Sequence, residues 1–80
     1  MMNVRINQLK EYCEFKLEIL NSLLTDMHDL TPDIKLRLNT KINILNHIVD
    51  YKTYGHFLNE EEINKYIEDS ADIILGFYED

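Results

Sequence analysis

One cysteine, one proline, two glycines and no tryptophan in 80 residues leave this chain little with which to staple, break or anchor itself. The lone Cys13 excludes an intrachain disulfide and suits a reducing compartment, although one thiol can still join two chains. No run of about 18 apolar residues occurs, so no membrane-spanning segment is expected. The first ten residues are interrupted by charged and amide side chains, so no secretory signal is expected either. The expected location is the cytoplasm.

Other shortages bear on chemistry. Gly55 and Gly76 stand alone, so no glycine-rich loop exists to cradle a phosphate. His28, His47 and His56 are far apart, and none stands at zinc-ligand spacing from Cys13 or a carboxylate. No calcium-loop pattern is present. Neither a metal nor any other cofactor is expected. Ser22 and Ser70 have no His or Lys at a spacing that would activate them, and Cys13 falls on an apolar stripe, where a thiol is usually an inert small hydrophobe. The chain is therefore not expected to be an enzyme. Bases are scarce too, eight against fifteen acids, for a net charge of −7. That field repels nucleic acid and anionic membrane, so neither is an expected partner.

What is present points to helices. A chain this short has apolar residues for one core only, so residues 1–80 are read as a single helical domain. The fold class expected is all-α, a three-helix antiparallel bundle with helices about 3–29, 32–54 and 60–78, open to dimerisation. Thr31, Pro32 and Asp33 form a helix start of cap, first-turn proline and dipole-matched acid. Gly55 is read as the break after the second helix. Asn59 and Glu62 form a capping box, with Leu58 and Ile63 at the staple positions. Three stripes recur at spacings of three and four: Ile6, Leu9, Cys13, Leu17, Leu20, Leu24 and Met27; Ile34, Leu38, Ile42, Leu45, Ile48 and Val49; and Ile63, Ile67, Ala71, Ile74 and Tyr78. Short connections make neighbouring helices antiparallel.

Two surfaces remain once the core is assigned. Residues 1–57 are electrically balanced, and the whole excess falls after residue 57. On the third helix Glu61, Glu62, Glu68, Asp69, Asp72 and Glu79 fall within roughly 120° of one another, with Lys65 the one base on that face. This acidic face reads first as a solvated face that keeps the chain in solution, and otherwise as a candidate contact for a partner with a basic surface. Arg37 and Lys41 stand where they could reach acids on a neighbouring helix. On the second helix Thr40, Ile44, His47, Tyr51 and Tyr54 follow a four-three-four-three spacing, the seam of a coiled-coil contact. The first helix places Val4, Phe15 and Ile19 off its main stripe. Ile44, His47, Tyr51, Tyr54, Phe15 and Ile19 are therefore candidate partner-binding or dimer-binding residues, or a broadened core.

No family motif is present. Residues 9–54 superficially resemble the helix–turn–helix of Spo0E-like aspartyl phosphatases. The signature Ser-Gln-Glu-Leu-Asp of that family would fall at Asn39-Thr40-Lys41-Ile42-Asn43, which has no acid at the catalytic position. That activity is not carried over. By size and charge the chain is similar to small helical regulators, immunity or antitoxin-like proteins and phage-encoded inhibitors. The expected function is a small acidic non-enzymatic binding protein that inhibits or modulates a larger protein partner, with a structural homo-oligomer as the alternative.

Overall fold

The computed structural model describes the backbone of residues 2–77 and the side chains of residues 4–77. Three α-helices follow one another: α1 over Met2–Asp26, α2 over Pro32–Asp50 and α3 over Glu60–Gly76. A 3-10 turn over Thr53–His56 links the last two, and no strand occurs among the described residues. The protein is an all-α three-helix bundle.

The helix starts follow their capping residues. Thr31 is extended, and its hydroxyl oxygen accepts from the Ile34 backbone N–H at 3.2 Å, with Pro32 at the first helical position. The Asn59 side-chain oxygen accepts from the Glu62 N–H at 2.9 Å. The return contact differs from an ideal capping box. Glu62 accepts from the Leu58 N–H at 3.3 Å, one residue before the cap. Leu58 is 67% exposed and closes no staple over Ile63. Phe57 packs against the core instead, edge-to-face with Tyr66 at a centroid distance of 5.3 Å.

The helix ends fall short of the sequence expectation. α1 stops at Asp26, although the Met27 N–H still reaches the Leu23 carbonyl at 3.3 Å. α2 stops at Asp50, and the break is made by Lys52 rather than Gly55: Lys52 is left-handed at φ 54°, ψ 31°, and Gly55 has no positive φ. The physical reason is burial. The reversal at Lys52 brings Tyr54 into the core, 7% exposed, and sets Gly55 beside the Ile6 side chain of α1. A continued helix would have followed the periodicity and left that part of the core without Tyr54.

α2 is the middle helix. It packs along α1 and along α3, and the 3-10 turn closes against α1 and α2, whereas the backbones of α1 and α3 scarcely approach each other. The core joins Leu9, Cys13 and Leu20 of α1 with Ile42, Ile44, Leu45 and Ile48 of α2, Tyr54, and Ile63, Ile67 and Ala71 of α3. With α1 and α3 each leaning mainly on one neighbour, each of these two helices buries a narrower arc than a closed triangle would require, and Ile74, expected in the core, is 37% exposed. Ile34, in the first turn of α2, and Met27, just past the end of α1, were also expected in the core and are 46% and 48% exposed. On α3 the buried row runs Ile63, Ile67, Ala71, Leu75, and Leu75 takes the place assigned to Ile74. Tyr78 lies outside the described residues.

Candidate functional site

The carboxylates of α3 are partly occupied inside the molecule. Lys41 Nζ lies 2.6 Å from Glu68 Oε1, and Arg37 pairs with Asp72 Oδ1 at 2.9 Å and with Glu68 Oε2 at 3.9 Å. Glu62 is taken up by the turn before the helix. Glu61 and Asp69 are exposed, on either side of Lys65 in the chain, and Glu79 lies outside the described residues. The acidic face thus carries less uncompensated charge than its sequence suggests. The two Arg37 pairs, open to solvent on both sides, contribute about 0–1 kcal/mol each, whereas the Lys41 side chain is only 18% exposed.

The residues of the α2 stripe divide. Tyr54 is in the core and offers no surface, a correction that follows from the helix ending at Asp50. Tyr51 is 68% exposed and stacks on His47, with ring centroids 4.5 Å apart at 40°. Ile44 and His47 line a groove of about 570 Å³ between α2 and α3. Its floor holds Ile44 and Thr40, both nearly buried, with the Thr40 hydroxyl donating to the Leu36 carbonyl at 2.7 Å. Leu36, Tyr66, Ile73 and Ile74 form its apolar walls, and Asn39, Asn43, His47 and Ser70 its polar rim. No charged residue lines it. At 100° per residue, Arg37, Lys41, Glu68 and Asp72 fall on the opposite flank of the α2–α3 seam.

Phe15 and Ile19 lie elsewhere, on the outer face of α1. Phe15, Ile19, Leu23 and Met27 are 61%, 41%, 38% and 48% exposed. Their spacing of four makes one continuous ridge. Glu18, Ser22 and Asp26 line a shallow hollow of about 420 Å³ with them. Phe15 also borders a second hollow with Gln8, Glu11, Tyr12 and Glu60 of α3.

Sequence reasoning missed Leu36, Tyr66, Ile73 and Leu23 as surface. The signal was present. Tyr66, Ser70, Ile73 and Phe77 repeat the four-three-four spacing of the α2 stripe, and Leu36 extends that stripe one turn toward its N-terminus.

The chemistry of the remaining groups is quiet. Cys13 is fully buried, and burial pushes its thiol up to about 11, with the Glu14 carboxylate adding to the rise. It stays protonated near neutral pH, the form that does not attack electrophiles. Among the described residues, no group of three or more His, Cys, Asp or Glu could hold a metal ion. No described helix is long and apolar enough to cross a membrane. Comparison with known proteins adds no relative: no family model, no curated protein and no solved structure matches the chain.

Proposed function

We propose that this chain is a small acidic, non-catalytic binding protein that inhibits or modulates a larger protein by covering part of its surface. The observation that carries this reading is the uncharged groove between α2 and α3. In a chain with 29% charged residues, ten groove-lining residues include none. Depletion of charge with aromatic enrichment is the compositional mark of an interface core. Tyr66 on the wall and Tyr51 beside His47 supply exposed aromatic surface of the kind that carries binding energy. The test is affinity capture from the source cell with three baits: the wild-type chain, Ile73→Glu and Glu68→Gln. A partner held by the first and third and lost by the second supports the groove as the contact. A partner held equally by all three removes it.

The same groove favours a second reading, a structural homo-oligomer. Two copies of a −7 chain can meet through an uncharged face without bringing like charges together. Asn39 and Asn43 each carry a donor and an acceptor, so they can pair with themselves across a two-fold axis. Light-scattering mass over a concentration series separates the readings. A mass near 9.6 kDa throughout rejects the oligomer, and a doubled mass returned to monomer by Tyr51→Glu supports it. An immunity or antitoxin-like role differs from the first reading only in the identity of the partner.

A further inference from the structure

We propose that the outer face of α1 is a second docking surface, independent of the α2–α3 groove, whose occupant is a basic amphipathic helix of another protein. The face combines two properties. Its centre is the apolar ridge Phe15, Ile19, Leu23 and Met27, and Phe15 alone is 61% exposed. Four carboxylates border it, Glu11, Glu18 and Asp26 of α1 with Glu60 reaching in from the start of α3, while half-buried Lys16 stands on the edge nearer the core. No lysine or arginine lines either hollow along it. None of these four carboxylates makes an ion pair among the described residues, whereas Glu14 pairs with Lys10 at 4.0 Å on another side of α1.

This arrangement selects the chemistry of what covers it. An apolar ridge alone would accept any hydrophobic stripe, including one from a second copy of this chain. A second copy presenting the same face would bring four carboxylates against four, a like-charge juxtaposition that costs several kcal/mol. A partner with an apolar stripe flanked by Lys or Arg meets apolar surface with apolar surface and carboxylate with ammonium or guanidinium. The shape is also specific. The four ridge residues lie on one i, i+4 row, which inclines about 26° to the helix axis. A partner helix that interdigitates its own i, i+4 row crosses at about −50°. From Phe15 to Met27 the ridge is roughly 18 Å long at about 1.5 Å per residue, and a helix crossing at that angle meets it over about two to three turns.

The probe is a synthetic amphipathic helix of about 18 residues with a Leu stripe flanked by Lys, long enough to hold helical structure on its own. Amide shift mapping of the full chain is the readout. The controls are a scrambled peptide of the same composition and a Leu/Gln peptide without charge. Saturable binding with shifts confined to residues 8–27 and the first turn of α3 is expected. Phe15→Glu should weaken it at least about tenfold, since an aromatic anchor that the bound helix covers becomes a carboxylate. The combined Glu18→Gln and Asp26→Gln variant should lower its salt dependence. Ile73→Glu, in the other groove, should leave it unchanged.

Binding of the scrambled or uncharged peptide with equal affinity overturns the proposal, as do shifts centred on the α2–α3 groove or on Glu61 and Asp69. Concentration-dependent shifts on the ridge without peptide would assign it to a second copy. Saturable ridge shifts with neutral phosphatidylcholine vesicles would assign it to a membrane. Each outcome leaves the reading of the α2–α3 groove standing or falling separately.

Discussion

The Tyr12 hydroxyl donates a hydrogen bond to the Asn64 side-chain oxygen, joining α1 to α3 across 52 residues of chain. Because α3 leans on α2 rather than on α1, this bond ties the first turns of the third helix to the first. Burial raises the hydroxyl pKa above its usual value, the Asn64 bond acts in the opposite direction, and the nearby Glu60 and Cys13 add to the rise. The group is therefore a neutral donor throughout the physiological range. Tyr12→Phe should lower stability by about 1 kcal/mol. Urea unfolding of Tyr12→Phe, Asn64→Ala and the pair should give a coupling of roughly 0.5–1.5 kcal/mol. Strictly additive losses would show that the two side chains act independently.

Lys52 holds a left-handed conformation, φ 54° and ψ 31°, immediately after α2. A non-glycine residue gives up about 1 kcal/mol there, because Cβ crowds the following carbonyl oxygen. Lys52→Gly should therefore stabilise the chain by about 0.5–1 kcal/mol after the greater freedom of glycine in the unfolded state is counted. In a domain this size that raises Tm by several degrees, about 4–8 °C per kcal/mol. Gly55→Ala should be neutral or mildly stabilising, since its φ is not positive and an added Cβ meets only Ile6, at 3.9 Å. A thermal melt in which Lys52→Gly lowers Tm would refute the strain argument.

The helix caps and the turn at Lys52 show what could be read from the sequence and what could not. Thr31 and Asn59 were legible as caps because an N-cap is a local device: a side-chain oxygen two or three residues from the N–H that it accepts. Arg37 and Lys41 were legible as partners of neighbouring acids because helical spacing places them at an edge of the α2 stripe. Lys52 was not. A lysine carries no preference for a left-handed turn, and the turn exists because Tyr54 and Phe57 gain burial beyond it. The width of each buried arc was also hidden, since it depends on how many neighbours a helix has. Ile74 and Leu75 are both apolar and adjacent, and only the placement of α3 against α2 decides that Leu75 is the buried one.

Cys13 gives stability a pH dependence. Its thiol is raised in the folded chain to about 11 from an ordinary value of 9.0, with desolvation as the main cause. A raised pKa means that the folded state holds the proton more tightly. The associated stability is present in full below about pH 9 and is lost as pH climbs toward about 11. The loss is on the order of 2 kcal/mol. Urea unfolding of the wild-type chain and Cys13→Ala at pH 7, 9 and 10.5 should show the difference between them shrinking as pH rises. A constant difference would mean that the thiol is not desolvated.

Arg37 reaches both Glu68 and Asp72, yet its side chain is 42% exposed and theirs are 49% and 62% exposed. Solvent and salt screen pairs this open, so Arg37→Gln should cost less than about 1 kcal/mol, and about 0.5 M NaCl should remove most of that difference. A cost of several kcal/mol that persists in salt would instead show that the cluster is shielded from water.

Ile67 and Ile73 are about 1.7 turns apart on α3 and should respond very differently to substitution. Ile67 is 1% exposed within the core, so Ile67→Ala should cost about 2–5 kcal/mol from lost transfer energy and the cavity left behind. A chain of 80 residues has roughly 4–12 kcal/mol to lose. Ile73 is 64% exposed on the wall of the groove, and Ile73→Glu should change stability by no more than about 0.5 kcal/mol. An isoleucine that the fold does not need, on an uncharged wall beside Tyr66 and Ile74, is surface suited to contact rather than to folding. Parallel urea titrations of the two variants decide the point. If Ile73→Glu unfolds the chain as readily as Ile67→Ala does, the groove is an extension of the core, and the partner reading built on it falls.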